Sequence, residues 1–320
     1  MRISTSMMFS NGTHGIQDRQ SDLFRVQNQL STGRRILTPE DDPIGASEVL
    51  KVSQSKAANS QYLNNQAIAQ TSLGALDNVL GTVNDELTRI TELAAGGNNA
   101  TLGPAERRMI AMEMRDRLQD LIGLANTEDG TGLYIFGGYQ STTPPFAENT
   151  GAPAPHDLTT ANSSVIYSGD AGKQAVQVTA SKDMNINENG LDVFMQVKDA
   201  SGNAIGRSMF DSIQNMIDQL DSSSGVPAST AAFNQALSDI KSGISHVATI
   251  RASVGARRNA LESLTSAGED VSFNYDARLS ALQDLDYTEA ISRFSAYKMQ
   301  LDAAQLTFKQ TSQMSLFNIL

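Results

Sequence analysis

A narrow apolar stripe at helical spacing runs along the first thirty residues. Its members recur every seven residues, with Val26 in an intermediate position beside them: Phe9, Ile16, Leu23 and Leu30. Two apolar positions in each heptad are typical of a coiled-coil seam, which is narrower than the face of a helix that covers a broad core. We therefore predict a first helix that ends near Gly33, a residue type common after the last turn of a helix.

The next stretch predicts one long helix. From about Pro43 to Ala95 the apolar residues alternate by threes and fours: Leu73, Leu76, Leu80, Val83, Leu87, Ile90 and Ala94. A helix of that length spans about 75 Å. Helix-breaking residues follow in "AAGGNNATLGP". A third helix is then predicted from the same rhythm in Ala111, Met114, Leu118, Leu121 and Ala125.

The pattern changes in the middle of the chain. From Leu133 to about Ile205 the sequence is rich in Gly, Pro, Thr, Ser and Asn. Three short runs alternate apolar and polar residues between turn signals: "SSVIYSG", "QAVQVTA" and "LDVFMQV". This alternation predicts strands, so we expect a small β-rich unit inserted between helices.

Helical patterns return after the insert. They begin at "SMFDSIQNMIDQL" and continue in a heptad run through Phe233, Leu237, Ile240, Ile244, Val247, Val254 and Leu261. The last segment repeats by fours and threes: Ala290, Phe294, Tyr297, Leu301, Ala304 and Phe308. The sequence stays apolar through Leu316, Phe317, Ile319 and Leu320.

These patterns predict a mainly α fold with a small β-rich insert. Because the two ends match in kind, we expect both termini to pair as long antiparallel helices in a coiled-coil stem. The predicted division is a terminal coiled-coil domain (1–42 and 276–320), a long helical-bundle domain (43–135 and 205–275) and an outer β-rich domain (136–204).

The terminal stripes raise the question of stability. Two apolar positions per heptad bury little surface against a single partner helix, while ordering the backbone opposes folding at every residue. We therefore expect the termini to be loose in the isolated chain and to become ordered when many copies pack side by side. The alternative is a helix pair that simply docks on its own domain, as most amphipathic helices do.

Composition excludes several classes of protein. The net charge of −11 argues against nucleic acid as a partner, because phosphate binding needs a basic surface. No run of 18 apolar residues occurs, so we expect no membrane insertion. "MRISTSMMFSNGTHG" has no apolar core or cleavage site typical of a secretory signal peptide. The absence of cysteine excludes disulfides, thiolate metal sites and thiol nucleophiles.

No catalytic, cofactor-binding or metal-ligating residues are predicted. The three histidines are widely separated and are interpreted as surface or helix residues: His14, His156 and His246. "NINENGLDVFMQ" approaches a calcium-loop pattern but has few carboxylates, and a turn before a strand fits it better. "GTGLYIFGG" lacks the βαβ context of a dinucleotide site.

Three arginines of the heptad run leave alternatives open. Arg251, Arg257 and Arg258 lie on a predicted helix. They are either solvated or paired with acids, on a facing helix or on a neighbouring subunit.

The connection between the first two helices concentrates charged residues, prolines and a glycine in a short segment. "LSTGRRILTPEDDPIGAS" predicts Asp42 as an N-cap and Pro43 at the first helical position. The acids Glu40 and Asp41 favour the positive end of that helix. One interpretation is local capping alone. The other adds Arg34 and Arg35 as partners for acids of a neighbouring subunit, since a guanidinium holds carboxylates in fixed geometry.

This connection also resembles the N-terminal motif of the bacterial flagellin superfamily, a Ser/Thr-Gly-x-Arg-Ile run before a paired Asp-Asp. The Asp-Asp-Pro form, with "MRIST" at the start, is similar to the family of hook-associated proteins type 3, which join hook and filament. The C-terminal "DYTEA" and "SLFN" elements resemble that family's end. "GGYQSTTPPF", "IYSGDAGKQAVQV" and "NENGLDVF" resemble its β domain.

The resemblance implies an extracellular, structural, non-enzymatic subunit of the flagellum, exported without a cleaved signal peptide. Its implied partners are further copies in a homo-oligomeric ring and a neighbouring hook-associated protein on the hook side. On the filament side the partner is flagellin, directly or through an adaptor layer, and an export chaperone holds the C-terminal helix. The terminal helices would line an inner tube and the β domain would face outward.

The predicted assembly interface combines both terminal stripes with the connection: Phe9, Ile16, Leu23, Leu30, Arg34, Arg35, Asp41, Asp42, Phe294, Tyr297, Leu301, Phe308, Leu316 and Phe317. Two alternatives remain at this point. One is a filament-forming flagellin, from which Pro43 and the middle segments distinguish the chain. The other is an enzyme or adhesive module carried by the β insert, which has no convergent polar cluster.

Overall fold

The structure, a computed structural model, describes residues 5–99, 101–199, 201–221 and 230–317. Its helices are α1 (Thr5–Thr32), α2 (Pro43–Gly97), α3 (Pro104–Ala125), α4 (Met209–Leu220), α5 (Thr230–Gln283) and α6 (Tyr287–Phe317). Its strands are β1 (Phe146–Glu148), β2 (Val165–Tyr167), β3 (Ala175–Thr179) and β4 (Lys182–Asn185). The predicted fold class, mainly α with a small β-rich insert, is confirmed.

The chain forms two compact units. The first contains residues 1–60 and 269–320, and the second contains residues 61–268. The finer division into three domains stays a prediction. In the part of the chain that the structure describes, no helix is both long and apolar enough to cross a membrane.

In the first unit, α1 and α6 pack against each other as an antiparallel pair. The rings of Phe9 and Phe308 meet edge to face, with centroids 4.9 Å apart. Further along, Arg19 Nη1 donates to Gln300 Oε1 at 3.3 Å. Low residue numbers on α1 thus meet high ones on α6, which confirms the predicted pairing of the two termini.

The first unit also contains the beginning of α2 and the end of α5. Two ion pairs connect these segments, Lys56 with Asp276 and Arg278 with Glu48. The residue order again shows antiparallel helices. Among the described α2 residues of this unit, Val52 is the only buried apolar side chain, at 6% exposed.

The core of the second unit lies along the predicted stripe of α2. All seven side chains that predicted this helix are fully buried. The stripe of α5 is buried every seven residues, at Phe233, Ile240, Val247, Val254 and Leu261. Helices α3 and α4 complete the same core with Met114, Leu121, Ile213 and Ile217. Hydrophobic periodicity alone therefore located the main core.

The insert contains two small antiparallel sheets. β1 pairs with β2, so that Phe146 lies opposite Tyr167. β3 pairs with β4, with a register irregularity between Gln177 and Thr179. The strands predicted within "SSVIYSG" and "QAVQVTA" are confirmed.

The strand predicted for "LDVFMQV" is wrong. Leu191–Met195 forms one turn of π-helix, in which the N–H of Gln196 donates to the carbonyl of Leu191 at 2.8 Å. Val193, Phe194 and Met195 are all buried, so exposure does not alternate. The Phe194 ring packs within 5.0–5.6 Å of three other phenylalanine rings, and a helical turn is what buries three consecutive side chains here.

The interpretation of His156 as a surface or helix residue is also wrong. His156 lies in a loop and is 6% exposed. Its Nδ1 contacts the carbonyl of Asn162 at 3.0 Å, and the Asn215 side chain binds its backbone N–H and carbonyl at 2.8 Å each. Its Nε2 lies 3.4 Å from Asp218 Oδ2, so contacts within its own unit surround the histidine on several sides.

The three arginines of α5 pair within the chain. Arg251 and Arg258 both donate to Asp77 of α2, at 3.2 and 3.0 Å. Arg257 pairs with Glu188 and donates to the carbonyl of Asn185 at 3.0 Å. Of the alternatives left open by the sequence, pairing with acids of the same chain is the one the structure shows.

Candidate assembly surface

The joint between α1 and α2, residues 33–42, begins where Gly33 ends the first helix. Its φ of +69° lies in the left-handed region, and its N–H donates to the carbonyl of Gln29 at 2.8 Å. A Cβ at this position would lie 2.8 Å from the Tyr287 hydroxyl. Glycine therefore meets both a conformational and a steric requirement, and the predicted stop is confirmed.

The joint then runs antiparallel to the short connection between α5 and α6. The N–H of Arg35 donates to the carbonyl of Gln283 at 2.6 Å, and the N–H of Leu285 donates to the carbonyl of Gly33 at 3.0 Å. Gln29, which is 8% exposed, donates through Nε2 to the carbonyl of Arg35 at 2.7 Å. Backbone pairing thus fixes the two interhelical connections to each other.

Asp42 fixes the start of α2, as the sequence predicted. Its Oδ1 accepts from the N–H of Gly45 at 2.9 Å, and α2 begins at the next residue, Pro43. Its Oδ2 meets Arg35 Nη1 at 3.3 Å. The hydrogen bond from the Gly45 N–H, followed by the Arg35 guanidinium, lowers the pKa of Asp42 below its usual value. The carboxylate is therefore ionised at neutral pH.

Asp41 shapes the turn that precedes the cap. Its Oδ2 accepts from the backbone N–H of Thr38 at 3.0 Å and of Leu37 at 3.1 Å. The Thr38 N–H is the main cause that lowers the pKa of Asp41. Asp41 acts on the backbone of the joint itself, a role the sequence alone did not distinguish from a general preference for the positive helix end.

The connection that faces the joint is capped in the same way. Asp286 Oδ1 accepts from the N–H groups of Thr288 at 2.8 Å and Glu289 at 3.2 Å. These residues belong to the "DYTEA" element, which starts α6 at Tyr287. Both connections of this unit are therefore held by an aspartate N-cap.

The two arginines of the joint differ. Arg35 is engaged inside the chain, with Asp42 and with the carbonyl of Leu282 at 2.9 Å from Nη2. The side chain of Arg34 is exposed, and it makes no hydrogen bond or ion pair within the described part of the chain. Of the pair, Arg34 is therefore the side chain available to another subunit.

The predicted apolar interface residues line the contact between α1 and α6. Half-buried side chains make up most of this set: Ile16, Leu23, Leu30, Phe294, Tyr297 and Phe308. Leu301 is 9% exposed and Phe9 is 49% exposed. Leu316 and Phe317 lie at the end of α6, but their side chains fall outside the described residues. The two stripes thus contact each other within the chain, and their contact with neighbouring subunits stays a prediction.

A second set of apolar side chains, which the sequence analysis missed, faces solvent in the first unit. The described members besides Phe9 are Met7, Phe24, Ile44, Leu50, Val271, Phe273, Tyr287, Ile291, Met299 and Leu306, each at least 40% exposed. On α6, Ile291, Met299 and Leu306 recur by eight and seven residues, a periodicity that could have revealed a second stripe. Such a concentration of exposed apolar surface marks an interaction site.

The core of this unit is correspondingly thin. Its described buried apolar side chains are Val26, Val52, Leu285, Ala290 and Leu301, whereas the continuous core cluster lies entirely in the second unit. Burial of apolar surface is the main favourable contribution to folding. A unit with few buried and many exposed apolar side chains gains stability when other subunits cover it.

Family models match both ends of the chain. The bacterial flagellin N-terminal helical region matches residues 3–141, and the bacterial flagellin C-terminal helical region matches residues 237–320. These ranges contain α1 to α3 and most of α5 with α6. The chain therefore shares with flagellins the joint and all its long helices, including the terminal pair.

Two relatives match this chain over its full length. The chain is 31% identical to flagellar hook-associated protein 3 of Escherichia coli strain K12 and 29% identical to that of Salmonella typhimurium. In both cases the match covers 100% of this chain and 99% of the relative. A phase 1 flagellin of Salmonella naestved is 26% identical over 42% of this chain and 26% of the flagellin.

Solved structures share the fold. A putative flagellar hook-associated protein from Vibrio parahaemolyticus aligns with a TM-score of 0.64 at 19% identity, covering 76% of this chain and all of that structure. Hook-associated protein-3 of Legionella pneumophila also gives a TM-score of 0.64, at 20% identity, over 73% of this chain and 98% of that one.

Proposed function

The chain belongs to the flagellar hook-associated protein 3 family, and from this we propose that it is a structural subunit of the bacterial flagellum that joins hook to filament. It assembles through the first unit, where the terminal helices pair. The observation that carries this proposal is the contrast between the thin core of that unit and its many exposed apolar side chains. Such a surface is unfavourable on an isolated chain and favourable in an assembly.

We propose that copies of the chain form a homo-oligomeric ring. Both terminal helices and the joint supply the contacts, and the fourteen residues predicted from sequence form part of that interface. The ring contacts another hook-associated protein on its hook side. On its filament side it contacts flagellin, with or without an adaptor layer.

The exposed apolar side chains of the first unit also bear on how the chain is kept soluble before export. As part of the flagellum, the chain acts outside the cell, and we propose that it is exported by the flagellar apparatus without a cleaved signal peptide. Ile291, Met299 and Leu306 expose 55%, 72% and 58% of their surface along α6. A chaperone that covers this helix before export would keep the apolar side chains from associating too early.

A filament-forming flagellin is the second candidate, and it is disfavoured. The flagellin match covers 42% of this chain, while the match to hook-associated protein 3 covers all of it. The middle segments that lie outside the flagellin family models include all four strands.

An enzymatic role is not proposed. The named relatives are structural proteins of the flagellum. In the insert, the stretch that approaches a calcium loop uses two asparagine side chains for internal bonds. Asn187 and Asn189 accept from the backbone N–H groups of Gln174 and Asp192 at 2.7 Å each.

The test is electron microscopy of cells that lack the gene, with flagellin assayed in the medium. A junction subunit predicts bare hooks and flagellin shed into the medium, both reversed when the gene is restored. Intact filaments would overturn the proposal. Bare hooks with no flagellin outside the cell would identify the chain as the filament subunit. Seeded polymerisation separates the candidates again, since a junction protein adds a limited layer and a flagellin grows indefinitely.

A further inference from the structure

Two separate concave surfaces occur on the first unit. The α2 groove, of about 760 Å³, is lined by Ile44, Glu48, Lys51, Val52, Tyr275 and Arg278, among others. The joint edge, a concavity of about 510 Å³, is lined by Phe24, Arg25 and Asn28 of α1 and by Leu37, Glu40 and Asp41 of the joint. Each surface presents a large exposed apolar side chain, Ile44 at 81% and Phe24 at 66%.

The α2 groove has an excess of positive charge. Arg278 is neutralised by its ion pair with Glu48. The side chain of Lys51 is exposed and forms no hydrogen bond or ion pair with any described residue. A single uncompensated ammonium therefore stands beside the apolar surface of Ile44 and Val52.

The joint edge has the opposite excess. Asp22 is shared by two arginines, with Arg25 Nη2 to Oδ1 at 2.7 Å and Arg19 Nη1 to Oδ2 at 3.3 Å. The one positive charge that remains on this pair of arginines is balanced by Asp41. Asp41 remains a carboxylate whose Oδ2 is occupied by the N–H groups of Thr38 and Leu37. Glu40 is exposed, and within the described ranges its carboxylate has no hydrogen-bond or ion-pair partner. Glu40 is thus the counterpart of Lys51.

We propose that the α2 groove of one subunit receives the joint edge of the next copy of the chain, with Phe24 seated against Ile44 and Glu40 paired with Lys51. This inference rests on the proposed function, because it names the contact by which the ring closes. Both surfaces combine an exposed apolar anchor with one unpaired charge, and their signs are complementary. Complementary charges fix the register of an interface and disfavour wrong pairings.

The contact joins two different surfaces of the same chain. Such a heterologous contact passes from subunit to subunit and produces a ring if the rotation closes. A self-complementary contact would instead stop at a dimer. The pairing of the joint edge with the α2 groove is therefore of the kind that a ring needs.

Charge reversal tests the pairing in flagellated cells. Glu40→Lys and Lys51→Glu each place like charges together, so each is expected to lower the number of filamented hooks by about tenfold. The double variant restores the pair with reversed signs and is expected to recover most filaments. Matched controls are Lys241→Glu and Glu262→Lys on the second unit, which are exposed and are expected to leave filaments unchanged.

Crosslinking tests proximity independently. Because the chain has no cysteine, an introduced thiol is unique. Cells that express Glu40→Cys and Lys51→Cys chains together are treated with a bismaleimide that spans a Glu–Lys pair, and their assembled flagella are isolated. Crosslinked dimers are expected from the mixture and not from either variant alone. The Lys241→Cys with Glu262→Cys mixture is the control.

In the charge-reversal experiment, two results would overturn the inference. One is normal filaments in both single reversals, and the other is loss in the singles with no recovery in the double. Absence of dimers from the mixture in assembled flagella, or equal dimers from each variant alone, would likewise overturn it. None of these results affects the junction role, which deletion of the gene tests separately.

Discussion

Arg35 and Asp42 form an ion pair across the joint, with Nη1 3.3 Å from Oδ2. The same aspartate caps α2 through Gly45, and the same arginine donates to the carbonyl of Leu282 before α6. Two side chains therefore connect the start of α2 to the other connection of the unit. Of the acids and arginines that the sequence concentrates here, Arg35, Asp41 and Asp42 hold the joint itself.

Arg34 and Arg35 should respond differently to truncation. Arg34→Ala removes no contact of the described chain, so the free energy of unfolding should change by no more than about 0.5 kcal/mol. Arg35→Ala removes two contacts and should lower the melting temperature. Thermal unfolding of the purified chains measures this difference. In cells, Arg34→Ala should reduce filament retention, and normal motility with retained filaments would contradict its role between subunits.

Gly33 should tolerate no side chain. Gly33→Ala places a Cβ at a φ of +69° and 2.8 Å from the Tyr287 hydroxyl, and should destabilise the chain by about 1–2 kcal/mol. Gly15→Ala is the matched control, since nothing lies within 4 Å of its Cβ in the interior of α1. That change should stabilise the helix by about 0.5–1 kcal/mol. Denaturant unfolding that shows the same sign for both variants would contradict the account of the joint.

The joint should weaken in acid through Asp41. Its pKa is lowered in the folded chain, mainly by the Thr38 N–H, from an ordinary value of 3.8. A lowered folded pKa means that the stabilisation is complete above the ordinary value and is lost as pH falls through the folded value. Asp41→Asn should therefore be less stable at neutral pH, with the difference from the natural chain shrinking below about pH 4.

Circular dichroism measures this difference by following unfolding of both chains across pH 2–7. Asp85→Asn is the control, because Asp85 is exposed and accepts no hydrogen bond from a described residue. A constant difference between Asp41→Asn and the natural chain at every pH would show that the carboxylate charge is irrelevant.

Substitutions in the second unit should affect stability, whereas substitutions on the exposed surface of the first unit should affect assembly. Leu80 is fully buried in the second unit, so Leu80→Ala should cost about 2–5 kcal/mol. Ile44 is 81% exposed, and Ile44→Ala should change monomer stability by about 0.5 kcal/mol or less while reducing assembly. Denaturant unfolding and counts of filamented hooks measure the two effects. A large loss of monomer stability in Ile44→Ala would mean that this side chain belongs to the core.

Hydrophobic periodicity predicted the helices because the buried side chains of each helix form a stripe at regular spacing. The buried Leu73–Ala94 set on α2 follows the predicted spacing throughout, and Gly33, Asp42 and Pro43 bound the joint as their types predict. These features depend on neighbours within a few turns, which a sequence displays directly.

The insert could not be predicted to the same extent. "LDVFMQV" alternates like a strand, yet Phe194 packs among Phe136, Phe146 and Phe210, which are distant in sequence. That aromatic cluster favours a turn that buries consecutive side chains. His156 is likewise buried by contacts from Asn162 and Asn215, and neither contact leaves a periodic signal.

The exposed apolar surface of the first unit was predicted only in part. The stripes of α1 and α6 were expected to pair with each other and to contact neighbouring subunits; the structure shows the pairing, and the contact with neighbouring subunits stays a prediction. The exposed side chains Phe24, Ile44 and Met299 lie outside those stripes. Met299 recurs with Ile291 and Leu306, so its periodicity could have revealed it. Phe24 and Ile44 have no apolar neighbours at helical spacing on the same face, so a search for periodicity does not find them.

Hydrogen exchange, compared between the isolated chain and assembled junctions, tests the central claim most directly. If the terminal helices are an assembly module with a thin core, the amides of α1 and α6 should exchange rapidly in the isolated chain. Amides of α2 beside Leu73–Ala94 should be strongly protected in both states. On assembly, α1 and α6 should gain protection. Equal and strong protection of α1 and α6 before and after assembly would contradict the account.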